Sequence, residues 1–285
     1  MKLKLITIAA VAALATGSAL AADLPSRKSP PVMTPIPVMT WNGFYVGLNA
    51  GYASGNADFN AYPGGSWIGD PDAPGVMASA TRSMNLSGGT VSGAVGYNYE
   101  FAPFVAGLEL DGGWMSLRDP ITVGPFPGVV RGFYATTMGA SSSYLLTARG
   151  RLGYEITPSL LGFVAGGLAG SDISASQTIY FNNFRPPVLL PLTTTLGGWN
   201  AGQISGMRMG WTVGGGLEWM FAPNWSAKIE YLYADFGKQD VSSAYLSTNG
   251  LLYTVDHQFS RNLNIVRAGL NYHFNLGTAP VVAKY

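Results

Sequence analysis

LEWMFAPNWSAKIEYLY, residues 217–233, carries bulky apolar residues at alternate positions on both sides of a short turn. Leu217, Trp219, Phe221, Trp225, Ile229, Tyr231 and Tyr233 form one set; Glu218, Lys228 and Glu230 fall between them. Period-2 alternation marks a strand whose two faces meet different surroundings. The same plan of run, proline turn and run recurs in VGYNYEFAPFVAGLELDGGW (95–114) and GRLGYEITPSLLGFVAGG (150–167).

Eight alternating segments follow from this pattern: 43–54, 88–101, 103–117, 143–156, 160–173, 206–221, 225–237 and 261–274. At 12–16 residues they exceed the usual strand of about 5–6. A tilted strand needs about 9–11 residues to cross the hydrocarbon of a bilayer. The connections sort by parity. Ala102-Pro103, Thr157-Pro158-Ser159 and Ala222-Pro223-Asn224 are tight, whereas 55–87, 118–142, 174–205 and 238–260 are long. An up-and-down barrel with short turns at one rim and large loops at the other gives that order. The expected fold is all-β: an eight-stranded antiparallel up-and-down transmembrane β-barrel over residues 41–274.

The second face decides which side meets lipid. Opposite Val91, Val95, Tyr97, Tyr99 and Phe101 stand Thr90, Ser92, Ala94, Gly96, Asn98 and Glu100. Opposite Val266, Ala268, Leu270, Tyr272 and Phe274 stand Arg267, Gly269, Asn271 and His273. Small polar residues suit the crowded interior of an eight-stranded barrel, and bulky ones suit lipid. Aromatics near the short turns (Tyr97, Tyr99, Phe101, Tyr154, Trp219, Phe221, Trp225) form one expected interfacial girdle, and Trp114, Tyr231 and Tyr233 the other. The segment 160–173 is apolar on both parities, and alternation does not orient it.

Parity sends a set of charges inward: Arg149, Arg151, Arg208, Lys228 and Arg267 against Glu100, Glu109, Asp111, Glu155, Glu218 and Glu230. An unpaired buried charge costs several kcal/mol. Near-equal numbers therefore predict an internal, water-bridged salt-bridge network.

Composition narrows the class. Charged residues are 11% of 285, glycines number 38, and cysteine is absent, which rules out disulfides and thiolate metal sites. No basic stripe supports nucleic-acid binding. MKLKLITIAAVAALATGSALA reads as a signal peptide over 1–21, cut between Ala21 and Ala22. Its removal takes Lys2 and Lys4, leaving 14 Lys+Arg against 15 Asp+Glu. Residues 22–40 hold five prolines and read as an extended periplasmic tether, and 275–285 as a C-terminal tail.

ADLPSRK (22–28), WNGFYVGLNAGY (41–52) and NIVRAGLNYHF (264–274) resemble the small outer-membrane β-barrels of alphaproteobacteria, known as porin-family or outer-membrane immunogenic proteins, within the broader OmpA-like membrane-domain group. The resemblance implies a surface-exposed structural protein of the Gram-negative outer membrane, with the N-terminus periplasmic and the long loops extracellular. It implies contact with outer-membrane lipid and lipopolysaccharide. It also implies a terminal aromatic, Tyr272 or Phe274, read by the barrel-assembly machinery, although 11 further residues follow Phe274 here.

Other motifs carry less. GGG (214–216) and SGGTVSG (87–93) lie within strands, where glycine permits curvature rather than cradling phosphate. Asp256 and His257 are adjacent on a strand and point to opposite faces, so they form no catalytic pair. Asp58, Asp70 and Asp72 lack a chelating spacing. Trp67, Phe126, Phe133, Phe181, Phe184 and Trp199 are loop aromatics that either pack the loops or offer ligand contacts. The function expected first is a non-enzymatic structural barrel with a largely plugged, charge-lined lumen, without cofactor or metal, and monomeric. A narrow diffusion pore is the alternative, and surface binding the third: haem through histidine or the loop tyrosines (Tyr62, Tyr180, Tyr245, Tyr253), or adhesion through the loop Trp and Phe residues.

Overall fold

The chain was analysed as a computed structural model that describes residues 39–129, 133–182, 199–246 and 250–274. Eight strands pair in chain order: β1 (Gly43–Gly65), β2 (Arg82–Phe101), β3 (Phe104–Pro127), β4 (Phe133–Thr157), β5 (Leu160–Asn182), β6 (Trp199–Ala222), β7 (Trp225–Leu246) and β8 (Leu252–Phe274). All neighbours are antiparallel, and β1 closes on β8 with Tyr45 opposite His273 and Gly51 opposite Arg267. One helix, α1 (Ala73–Ala80), follows β1 and packs against β1, β4 and β5. The signal peptide with Ala21 and Ala22, most of the Pro-rich tether and the C-terminal tail lie outside the described residues.

The strands are longer than expected, at 20–25 residues. Most of each expected long loop is strand. What remains between strands is 66–81, 128–132, 183–198 and 247–251. A 23-residue strand such as β8 rises about 75 Å along its own axis, or about 55 Å when tilted by ~40–45°. The apolar band of an outer-membrane barrel is about 25 Å tall. The barrel therefore continues well past the bilayer at its long-loop end.

The alternation does not stop where the sequence reading ended it; its chemistry inverts. On β8, Val266, Ala268, Leu270, Tyr272 and Phe274 face outward, but further along the same outward face lie Asp256, Gln258, Ser260, Asn262 and Asn264. The inward face changes in the opposite sense, from Arg267, Gly269, Asn271 and His273 to Phe259, Leu263 and Ile265. β1 repeats the exchange: Phe44 to Tyr52 outward, then Ser54, Asn56 and Asp58, with Ala53, Ala57 and Phe59 turning inward. Leaving lipid for water, each strand adopts the ordinary apolar-in pattern of a soluble barrel. Trp114, Tyr144, Trp211, Tyr231 and Tyr233 stand outward at this transition, and Phe44, Tyr97, Phe101, Trp219, Trp225 and Phe274 at the opposite rim.

Candidate functional site: charges beneath an apolar layer

The interior is stratified. At the short-turn rim Trp41, Val105, Leu161 and Met220 form a small apolar floor. The Trp41 ring meets His273 edge-on with centroids 5.8 Å apart. Glu100 belongs here rather than in a lumenal network. Its Oε2 accepts hydrogen bonds from the Trp41 backbone N–H (2.7 Å) and the Thr40 hydroxyl (2.8 Å), tying the incoming chain to the end of β2. The reason is positional: Glu100 is one residue from the turn, below the ladder level of the other charges.

Above the floor, charged side chains from β3, β4, β6, β7 and β8 converge. Arg149 bonds Glu230 at 2.6 Å and also contacts Glu109. Lys228 reaches Glu109 at 3.0 Å. Arg267 donates through Nε to Glu230 at 2.8 Å and through Nη1 to Asp111 at 2.9 Å. Arg151 bonds Glu218 at 2.7 Å and donates to the Tyr45 hydroxyl at 3.2 Å, which itself donates to Glu109 at 2.6 Å. Tyr45 thus joins the Arg151–Glu218 pair to the rest. Four cations meet four carboxylates, so the cluster is neutral.

Neutral polar groups complete the shell. Asp111 accepts from Ser92 (2.9 Å) and Asn49 (3.1 Å). Glu218 accepts from Ser226 (2.5 Å) and Asn271 (2.6 Å). The Arg151 guanidinium lies 4.3 Å above the Phe163 ring, which orients β5 with its odd-numbered residues inward. Sequence reasoning did not single out Tyr45, Asn49, Ser92 or Ser226 as partners; inward parity was the signal that locates them. Glycine opposite a long side chain makes the room. A Cβ at Gly96 would fall within the Tyr45 ring, and one at Gly269 against the Asn49 amide.

Of the other expected charges, Glu155 sits at the rim near Glu100 and makes no ion pair among the described residues. Arg208 points inward four ladder rungs above Thr212, at the level of Ser171, and likewise pairs with no carboxylate among the described residues. Both are half-buried. They fall outside the cluster because the carboxylates lie within one narrow band of ladder rungs.

The next layer is apolar. Ala53, Phe59, Leu86, Met115, Leu117, Met138, Ile204, Phe236, Leu263 and Ile265 pack across the lumen. Over it α1 and its flanks bring Trp67, Val76, Met77, Tyr134, Ile179, Tyr253 and Val255 together. Trp67 is thus a packing residue, fully buried and edge-on to Tyr253. Phe133, Phe181, Phe184 and Trp199 fall among residues whose side chains are not described.

His257 also points inward here. Gln177 donates to the Ala80 carbonyl at the end of α1, so its Oε1 accepts from His257 Nδ1–H at 2.8 Å, and His257 Nε2 accepts from Ser243 at 2.8 Å. Asp256 points outward to Ser242. Burial pushes the His257 imidazole down to about 4, while Asp256 pulls weakly the other way. So weak a base suits a neutral tether for α1 better than proton abstraction near neutral pH. Asp58 is engaged with Ser83 and Ser260, and no group of three or more His, Cys, Asp or Glu gathers among the described residues.

Residues 7–274, which take in the whole barrel and most of the run before it, match the family described as outer membrane protein beta-barrel domain. The chain belongs to this family. It is an outer-membrane β-barrel protein. Relatives within it include the 31 kDa outer-membrane immunogenic proteins of Brucella melitensis biotype 1 and Brucella suis biovar 1. Each is 31% identical over 279 residues, covering 95% of this chain and 100% of the relative. The 25 kDa outer-membrane immunogenic protein of Brucella abortus biovar 1 is 25% identical, over 91% of this chain and 92% of its own length. Among solved structures, OprG of Pseudomonas aeruginosa aligns with 82% of this chain and 97% of its own at 12% identity and a TM-score of 0.39. The Neisserial surface protein A aligns with 82% and 98% at 12% identity and a TM-score of 0.36. The eight-stranded closure rests on this chain's own hydrogen-bonded register.

Proposed function

We propose that this protein is a structural, non-enzymatic barrel whose lumen is closed to solutes and whose long-loop end projects from the cell. The observation that carries the reading is the vertical order of the lumen: a neutral ion-pair cluster roofed by an apolar layer and then by α1. A hydrated solute would have to break the paired charges and then cross a stratum packed chiefly with apolar side chains. Short turns face the periplasm in barrels of this kind, which orients the long-loop end outward. Lipid and lipopolysaccharide then contact the outward apolar belt, and Tyr272 and Phe274 at the end of β8 serve as the assembly signal.

The test is planar-bilayer conductance of the mature chain, folded as judged by its heat-dependent gel shift, beside the double variant Arg151→Gln/Glu218→Gln. Absence of single-channel steps in both is the expected result. Steady steps whose size changes in the variant would replace this reading with that of a narrow diffusion pore.

A further inference from the structure

Two hollows lie one above the other on the outer face of β3 to β6. The lower, about 560 Å³, is in the lipid belt. Leu110, Leu146, Leu168 and Met209 wall it, and Gly112 and Gly170 leave its floor bare. Asp111, Thr147 and Ala169 border it too, but their side chains are buried in the lumen, so they offer it main chain. The upper hollow, about 280 Å³, is polar. Ser141, Ser174, Ser176 and Gln203 line it with Arg118, which is exposed and makes no ion pair among the described residues. The rest of its described lining is glycine, alanine and proline, so Arg118 supplies its only charge there.

The two hollows are parts of one track. On β5 Ser174 follows Gly170 by four residues, about 13 Å, and on β6 Gln203 precedes Met207 by the same interval. Met207 borders the lower hollow and faces Asp172 across the ladder. Trp114 and Tyr144, their ring centroids 6.5 Å apart, stand outward beside the junction, at the aromatic girdle of the long-loop end. Asp172 lies at this junction, but its carboxylate is turned into the β4 bulge, where it accepts from the backbone N–H groups of Ser143 and Tyr144. Apolar relief ends and polar relief begins at the height where lipid gives way to water.

We propose that this track is a binding site for one lipopolysaccharide molecule of the outer leaflet, with an acyl chain in the lower hollow and a phosphorylated sugar of the headgroup in the upper. The choice of leaflet rests on the reading that the long-loop end faces outward. An acyl chain laid over Gly112 and Gly170 gains dispersion contacts with the walls that a flat barrel face would not give. Arg118 offers a phosphate a charge-assisted, bidentate partner. The serine hydroxyls and the Gln203 amide both donate to and accept from sugar hydroxyls. A phospholipid fills the lower hollow equally well but brings no sugar to the hydroxyl-lined part of the upper one.

The full mature chain, refolded in nonionic detergent, is mixed with diphosphorylated lipid A, lipid A stripped of its phosphates, or phosphatidylglycerol, and bound lipid is followed by native mass spectrometry. One diphosphorylated lipid A per chain is expected, with the other two lipids held more weakly. Arg118→Gln should weaken that binding about tenfold, through loss of a hydrogen bond to a charged group. No adduct, or equal binding by the native chain and Arg118→Gln, overturns the site. Equal retention of phosphatidylglycerol overturns the assignment to lipopolysaccharide. Should Arg118→Gln lack the heat-dependent gel shift of a folded barrel, Ser176→Trp, which fills the upper hollow, takes its place, and undiminished lipid A binding by it overturns the site. Failure in micelles leaves the closed lumen and the orientation standing. Protection of Gln258→Cys from an impermeant maleimide in intact cells would instead overturn the orientation, and the choice of leaflet with it.

Discussion

The ring of Tyr45 occupies the space that a side chain at Gly96 would need. β1 and β2 place the two residues directly opposite each other, and the ring leans across to reach Glu109 on β3. The glycine is therefore part of the charge cluster, though it has no side chain.

Gly96→Val forces the Tyr45 ring off its hydrogen bond with Glu109. Overpacking of this kind costs about 1–3 kcal/mol, and loss of the hydrogen bond to a carboxylate adds about 1.5–3 kcal/mol. The variant is expected to unfold at lower urea than the native barrel in lipid bilayers. The double variant Tyr45→Phe/Gly96→Val should be no worse than Gly96→Val alone, since the bond is already broken.

Arg149 joins two carboxylates, so its removal strands negative charge. Arg149→Met should destabilise the barrel by about 3–5 kcal/mol, the usual penalty for breaking a buried pair from one side. Neutralising a stranded partner as well, in Arg149→Met/Glu230→Gln, should recover part of that loss. Equilibrium unfolding of the three proteins checks the order; a double variant worse than the single would mean that Arg149 acts by packing alone.

His257 gives a pH dependence confined to the long-loop end. Its folded value, about 4, lies below the unfolded value of about 6.5. The unfolded form binds the extra proton first, so the stabilising contribution is complete above about pH 6.5 and fades as pH falls toward 4. The full effect is about 3 kcal/mol at 1.36 kcal/mol per unit. The protection factors of the α1 amides, which are exchange rates corrected for the intrinsic pH dependence, should fall between pH 7 and pH 4.5 in the native chain, and much less in His257→Asn.

Because the protein lacks cysteine, single Cys residues report on the membrane boundary without background. Val266→Cys and Leu270→Cys should resist a water-soluble maleimide in reconstituted vesicles, while Asn262→Cys and Gln258→Cys should react readily. All four positions share one face of β8. Uniform reactivity along that face would remove the boundary placed between Asn264 and Val266.

The lower barrel was legible because lipid demands an unusual pattern. Leu270, Tyr272 and Phe274 outward against Arg267, Asn271 and His273 inward could be read directly from parity. The upper strands were not, because their outward residues, such as Asp256, Gln258 and Ser260, read as loop composition when apolar-outward alternation is the template. Inverting the template at Val266 would have recovered them. β5 escaped for another reason. Phe163, Ala165 and Ala169 are inward and Val164 and Leu168 outward, so both faces are apolar and only the Arg151 contact to Phe163 distinguishes them. Arg208 and Glu155 show the limit of parity itself. It gives the direction of a side chain, whereas pairing also requires a partner at the same height.

The exchange of chemistry between the two faces gives every strand a graduated scale. Displacing the barrel outward would bring Leu270 into water; displacing it inward would draw Asn262 into hydrocarbon. The inner residues change over at the same mark, so the barrel's depth and the filling of its bore are written by one set of positions. A substitution near residues 264–266 that shifted the mark on one strand alone would leave that strand out of step with its seven neighbours, straining their shared ladder rather than merely raising or lowering the whole barrel.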